Sequence, residues 1–137
     1  MNLKNSVALV TGGSAGIGRA IAQTLAASGA RVAITGRDAA KLNEAAKAIG
    51  AFAIQADVSK EADVERTMRE VLAHFGDLDI LVNNAGIGVF KPLVELPQSA
   101  VESVFATNVF GAIMMGRAAA KHFIQRNRGN IINIAST

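Results

Sequence analysis

The feature that most constrains this chain is an alternation of two apolar periods. Val7, Ala8, Leu9 and Val10 form an uninterrupted apolar run, the pattern of a strand covered on both faces. Ile17, Ile21 and Leu25 then recur at every fourth position until Gly29, the stripe of a helix closed by a glycine. A second strand is expected over 31–35. Asp38 is placed to cap a helix through Leu42, Ala45 and Ile49 that stops at Gly50. The unit then repeats. A third strand is expected over 51–56. Ser59 caps the next helix, with Glu61 and Asp63 in its first turn and Val64, Met68, Val71, Leu72 and Phe75 inward, closed by Gly76. A fourth strand follows over 78–82. After a loop with Pro92 and Pro97, a long helix is expected over 99–125, with Asn108 and Gly111 as places where it bends. Ile131, Ile132 and Ile134 mark a fifth strand.

Strands and helices in this rhythm require a parallel sheet with right-handed crossovers. The expected fold class is therefore α/β: one doubly wound domain over 1–137, Rossmann-like, with strand order 3-2-1-4-5 and a crevice where the order reverses. Half of the 137 residues are hydrophobic, enough for a real core.

Composition removes several function classes. The chain has no cysteine, so disulfides, thiolate metal sites and a Cys nucleophile are out. His74 and His122 have no partner at metal-ligand spacing and read as surface or dipole-complementing residues; no metal site is expected. The net charge is +3, but the bases are scattered except around 117–128, and Tyr and Trp are absent. Nucleic acid is not an expected partner. There is no signal-peptide pattern and no uninterrupted run of ~18 apolar residues, so neither secretion nor a membrane span is expected, and a cytoplasmic location is.

The chemistry begins at Thr11-Gly12-Gly13-Ser14-Ala15-Gly16-Ile17-Gly18, between the first strand and the first helix. Glycine serves there where the chain turns sharply and where a pyrophosphate must approach the backbone. The N–H groups and the positive end of the helix dipole then hold the anion. The spacing is T-G-x-x-x-G-x-G, not the usual dinucleotide G-x-G-x-x-G.

With this loop the chain resembles the short-chain dehydrogenase/reductase family, and four further landmarks agree in order. Asp57-Val58 follows the third strand, where the family places an Asp beside the adenine. Asn83-Asn84-Ala85-Gly86 ends the fourth strand and matches its N-N-A-G signature. Asn108 falls in the long helix where the family carries a catalytic Asn. Ile131 to Ser136 resembles its fifth strand, ending in the catalytic Ser. The resemblance thus implies Thr11, Gly12, Ser14, Gly16, Ile17, Gly18, Asp57, Val58, Asn83, Ala85 and Gly86 as cofactor-binding residues, and Asn108 and Ser136 as catalytic ones. The implied reaction is hydride transfer between a nicotinamide dinucleotide and a small carbonyl or alcohol.

Cofactor choice is read at the end of the second strand. An NAD-selecting fold needs a carboxylate there for the ribose 2′-hydroxyl. Here Gly36 leaves room and Arg37 offers a fork that suits a phosphate. NADP(H) is expected over NAD(H).

The family's Tyr-x-x-x-Lys pair has no counterpart, because the sequence contains no tyrosine. The 137 residues are thus expected to be a catalytically incomplete part of an oxidoreductase; the alternative is a non-catalytic nucleotide-binding or interaction module. In the family the long helix helps form the subunit interface, which implies a homo-oligomer through 99–125. An uncovered apolar face is expected there, over Val104, Phe105, Val109, Ile113, Met114 and Phe123, beside an exposed fifth-strand edge.

Overall fold

The computed structural model describes residues 3–136. Its sheet is built from β1 (Val7–Val10), β2 (Arg31–Gly36), β3 (Phe52–Gln55), β4 (Ile80–Asn83) and β5 (Asn130–Asn133). The order is β3-β2-β1-β4-β5, with every neighbouring pair parallel. That is the topology expected from the sequence. Order reverses between β1 and β4, so the crossovers diverge there and open a crevice at the carboxyl ends of the strands.

Four helical segments cover the sheet: α1 (Gly16–Ala27), α2 (Ala39–Ile49), α3 (Glu61–Phe75) and a long rod made of α4 (Gln98–Phe105) and α5 (Ala112–Arg126). Successive side chains of β1 go to opposite layers, as the period of a strand dictates. Val7 and Leu9 pack with Val71, Met115 and Phe123 of α3 and α5. Ala8 and Val10 pack with Ala22 and Leu42 of α1 and α2. Two covered faces explain the unbroken apolar run of β1, whose residues are all fully buried.

Asp38 caps α2 as expected, accepting the Lys41 N–H at 3.1 Å, and Gly50 and Gly76 close α2 and α3 in the left-handed conformation. Ser59 does not cap α3. Its N–H and Oγ–H both donate to Asp57 Oδ1, at 3.0 and 2.7 Å. This local turn draws the hydroxyl away from the helix, which begins after Lys60 with no side-chain cap. β3 is shorter than the expected 51–56, and β4 starts at Ile80 rather than 78, because Asp77 Oδ1 takes the Leu78 N–H at 2.7 Å.

His74 is exposed and stacks on Phe52 with ring centroids 3.9 Å apart. His122 departs from the surface reading: it is mostly covered and lies 2.8 Å from Asp77 Oδ1. Sequence spacing could not show this contact, because it joins residues 45 positions apart.

The long helix is interrupted where Asn108 and Gly111 suggested, by a π-helical turn over Ala106–Gly111. Gly111 seats against the α3 side of the domain; a Cβ there would lie 2.7 Å from Val58 Cγ2. By length and hydropathy Gln98–Arg126 meets the criterion for a membrane span, a signal hidden from a search for uninterrupted runs because Arg117 and Lys121 divide it. Here its stripe of Met115, Ala119 and Phe123 is buried on the sheet, the role of a layer helix. Phe123 is therefore not on the uncovered face, and Val104 and Met114 are half-buried. The exposed apolar residues of the rod are Val101, Phe105, Val109, Phe110, Ile113 and Ile124, and β5 is exposed along its length.

Candidate functional site

The carboxyl ends of β1 to β4, together with the π turn, surround a cleft of about 420 Å³. Its wall on the β1 side is the glycine loop. Gly12 takes a positive φ of 66°, and a Cβ on it would sit 2.9 Å from the Ala85 Cα. Only glycine lets the two loops approach this closely. A Cβ on Gly18 would lie 2.3 Å from both Gly12 O and Asn84 Nδ2. Gly18 therefore serves the packing of α1 beneath the loop and does not line the cleft.

Thr11 ties the two loops together. Its buried Oγ1 accepts the N–H groups of Asn84 and Ala85, both at 3.0 Å. Asn84 Nδ2 returns two bonds, to Thr11 O at 3.0 Å and Gly12 O at 3.3 Å. Thr11 thus stands behind the wall and holds it. Asn83 is also behind it: its Nδ2 donates to Ala112 O at 3.2 Å and to Asn133 Oδ1 at 2.9 Å, binding β4 to α5 and β5. Asn83 Oδ1 is enclosed without a hydrogen-bond partner.

Of the expected binding residues, Gly12, Ser14, Gly16, Ile17, Arg37, Asp57, Val58, Ala85 and Gly86 line the cleft together. Ala15, at the N-cap of α1, is extended and offers no side-chain cap. The N–H groups of the first turn, at the positive end of the helix, thus lack a capping acceptor where Gly16 and Ile17 meet the cleft. Gly16 has φ +52° with nothing within 4 Å of an added Cβ, and Ile17 is exposed. The loop is open on that side, as close approach by an anion requires.

At the end of β2 the space differs from the sequence reading. A Cβ on Gly36 would come 3.0 Å from Ser14 Oγ, so the room at Gly36 is already taken by Ser14. Arg37 is exposed on the cleft wall. The neighbouring Asp38 has its carboxylate engaged as the α2 cap.

Opposite, Asp57 is positioned through its backbone. Its N–H donates to Asp63 Oδ2 at 2.8 Å. That bond, with the Arg66 guanidinium 3.2 Å from Asp63 Oδ1, holds the Asp63 carboxyl below its ordinary value. Arg66 also pairs with Glu70 at 3.0 Å, and Glu70 and then Asp63 raise its pKa further.

Asn108 projects from the π turn to the loop after β4. Its Oδ1 accepts the Ile87 N–H and its Nδ2 donates to Ile87 O, both at 2.8 Å. Ser136 is exposed beyond β5 at the same edge of the sheet. Asn108 and Ser136 are outside the cleft lining, which ends at Ile87 and Thr107 on that side. Beyond the expected binding residues the lining holds Ala15, Gly36 and Asn84, neighbours of them in the same motifs, and Thr35, Ala56, Ile87 and Thr107. Two carried a legible signal, since Thr35 and Thr107 are polar residues set in apolar segments.

The short chain dehydrogenase family model matches residues 6–137. The sorbitol dehydrogenase of Cereibacter sphaeroides is 41% identical over 99% of this chain and 54% of its own length. The galactitol 2-dehydrogenase of Agrobacterium fabrum is 42% identical, over 99% and 54%. A putative gluconate dehydrogenase structure from Agrobacterium tumefaciens superposes with a TM-score of 0.92 at 41% identity, covering 98% of this chain and 55% of that one. The chain spans about half the length of the curated relatives it matches. On the family match and on a sheet order and cleft that agree with it, the chain belongs to the short-chain dehydrogenases.

Proposed function

We propose that these residues form the dinucleotide-binding half of an oxidoreductase that moves hydride between NADP(H) and a carbonyl or alcohol. One observation carries the reading: the uncapped N-terminus of α1 and the Arg37 side chain line the same cleft. The residues present fit the cofactor. The first turn of α1 and the glycine loop would hold the pyrophosphate, Asp57 and Val58 the adenine side, and Arg37 the 2′-phosphate. When bound, the nicotinamide ring supplies the hydride donor or acceptor. Asn108 fixes the Ile87 backbone beside the cleft, and Ser136 stands at the edge where a reacting oxygen would be hydrogen-bonded.

No group among these 137 residues takes the part of a phenolic acid/base, since the chain has no tyrosine. General acid/base catalysis typically contributes ~10²–10⁴-fold. We therefore expect no NAD(P)H-linked turnover by chain 1–137 on a carbonyl and polyol panel. Polyols and sugar acids, named for the relatives, are the first substrates to assay. Turnover by homogeneous material would overturn this assignment of the proton-transfer group. The cofactor reading is tested by Arg37→Asp in a binding titration. NADP(H) should weaken by at least ~1.5 kcal/mol while NAD(H) is spared. Equal effects on both would refute the phosphate role.

A homo-oligomer through the long helix is part of the same reading. Val101, Phe105, Val109 and Ile113 recur at every fourth position and are all exposed, one continuous stripe on a helix. Light scattering of chain 1–137 at micromolar concentration should show self-association; a monodisperse monomer would argue against this face as the contact.

A further inference from the structure

On the face of the sheet that α3 and α5 cover, away from the dinucleotide cleft, the two helices leave a groove of about 250 Å³ between them. Its floor is apolar. Val64 and Met68 of α3 are buried there, and Met114 and Ala118 of α5 are half-buried. Each pair is four residues apart, so the helices present two apolar rows side by side along the groove. Surface of this kind is covered favourably by a hydrocarbon chain.

The rim is charged, and its charges are unevenly answered. Arg117 of α5 donates to Glu61 Oε1 of α3 at 2.6 Å and bridges the two helices. Arg69 of α3 and Lys121 of α5 line the same groove and are exposed. Neither makes a side-chain hydrogen bond or an ion pair among the described residues. Arg117 and Lys121 are four apart on one helix, a spacing at which like charges repel. Glu65, four residues before Arg69, also lines the groove and makes no ion pair among the described residues. Two unanswered cations thus stand against one unanswered carboxylate, above hydrocarbon. Long basic side chains lay their stems along such a floor and keep the charged head free to close over a ligand. A guanidinium takes a carboxylate through two parallel N–H bonds. An uncharged hydrocarbon would leave the cations unanswered, and an inorganic anion would leave the floor wet.

We propose that the groove between α3 and α5 binds a small amphipathic anion, an alkyl carboxylate whose chain covers Met68 and Met114 and whose head is held by Arg69 and Lys121. The site is separate from the dinucleotide cleft and does not rest on the reading of it. The test is methyl-resolved NMR of the full chain with isotope-labelled methionine, titrated with sodium octanoate. The methyl signals of Met68 and Met114 should shift saturably at millimolar octanoate, and Met115, buried on the sheet, should move less. Inorganic sulfate offers the charge alone and octanol the chain alone, and each should bind at least about fivefold more weakly. Arg69→Gln and Lys121→Gln should each weaken octanoate by about two- to fivefold, and Glu65→Gln should tighten it by a similar factor. All three positions are exposed, so the variants are expected to fold as the parent does. Octanol binding as well as octanoate, or octanoate affinity unmoved by the three charge changes, would reduce the effect to apolar adsorption and overturn the proposal. Absence of a saturable shift at Met68 and Met114 would overturn it as well.

Discussion

The two ends of the sheet handle polar groups in opposite ways. At the carboxyl end, glycine and uncapped N–H groups surround an open cleft. At the amino end, charged side chains close on one another. Asp79 Oδ2 accepts the Val7 N–H at 2.9 Å, Arg126 pairs with Asp77 and Asp79, and Arg128 reaches both at 3.3 Å. His122 adds its contact to Asp77. This network joins β1, the start of β4, α5 and the approach to β5. The strands between the ends are the same, so the difference lies in the connections. At the amino end the chain satisfies its own polar groups and gains stability. At the carboxyl end it leaves some for a ligand, and stability is not their purpose.

Three substitutions would break or sharpen that contrast. The largest effect is expected at the amino end. Asp79→Ala removes the acceptor of the Val7 N–H and one of the two carboxylates facing Arg126 and Arg128, which keep Asp77, and should lower unfolding free energy by about 1.5–3 kcal/mol. Nucleotide affinity of the molecules that remain folded should not change. Urea unfolding beside a titration would measure both, and a loss of affinity in the folded fraction would mean that the ends are coupled.

Gly18→Ala should act at the carboxyl end and move both quantities. The new Cβ would meet Gly12 O and Asn84 Nδ2, atoms of the two loops that shape the cleft. Overpacking of this kind costs about 1–3 kcal/mol. Displacement of the loop should also weaken the dinucleotide, and full affinity after the substitution would detach the loop geometry from binding.

The smallest effect concerns Asp63, which steadies Asp57 from below the cleft. Its folded pKa is depressed from 3.8, first by the Asp57 N–H. A depressed carboxyl contributes stability above its unfolded pKa and loses it as pH falls through the folded value. Asp63→Asn should therefore cost less than about 1 kcal/mol at neutral pH, since the group is partly exposed. The difference from wild type should vanish as pH falls below the ordinary carboxylate value. A gap that persists in acid would mean that the charge of the Asp63 carboxylate is not its source.

The sequence determined more of the fold than of the site. Val7 to Val10 read as a strand covered twice, and of the four-residue stripe Ile21 and Leu25 pack inward from a helix while Ile17 stands exposed at the cleft. Together with right-handed crossovers these imply a doubly wound parallel sheet, and the order 3-2-1-4-5 follows from the Rossmann-like pattern. Turn chemistry was equally local: Gly50 and Gly76 close helices because each takes a positive φ. Motif order, with the end of the second strand, placed Gly12, Ser14, Arg37, Asp57 and Ala85 around one cleft. Only the tertiary structure decided which of the motif residues face that cleft and which stand behind it. Thr11, Gly18 and Asn83 hold the wall through contacts between segments roughly seventy residues apart, or thirty to fifty for Asn83. The room at Gly36 is filled by Ser14, Ser59 is captured by Asp57, and His122 is drawn to Asp77. Each of these outcomes depends on which donor meets which acceptor in space. Periodicity and propensity describe how a segment folds upon itself and carry no record of the partner that folding brings to it.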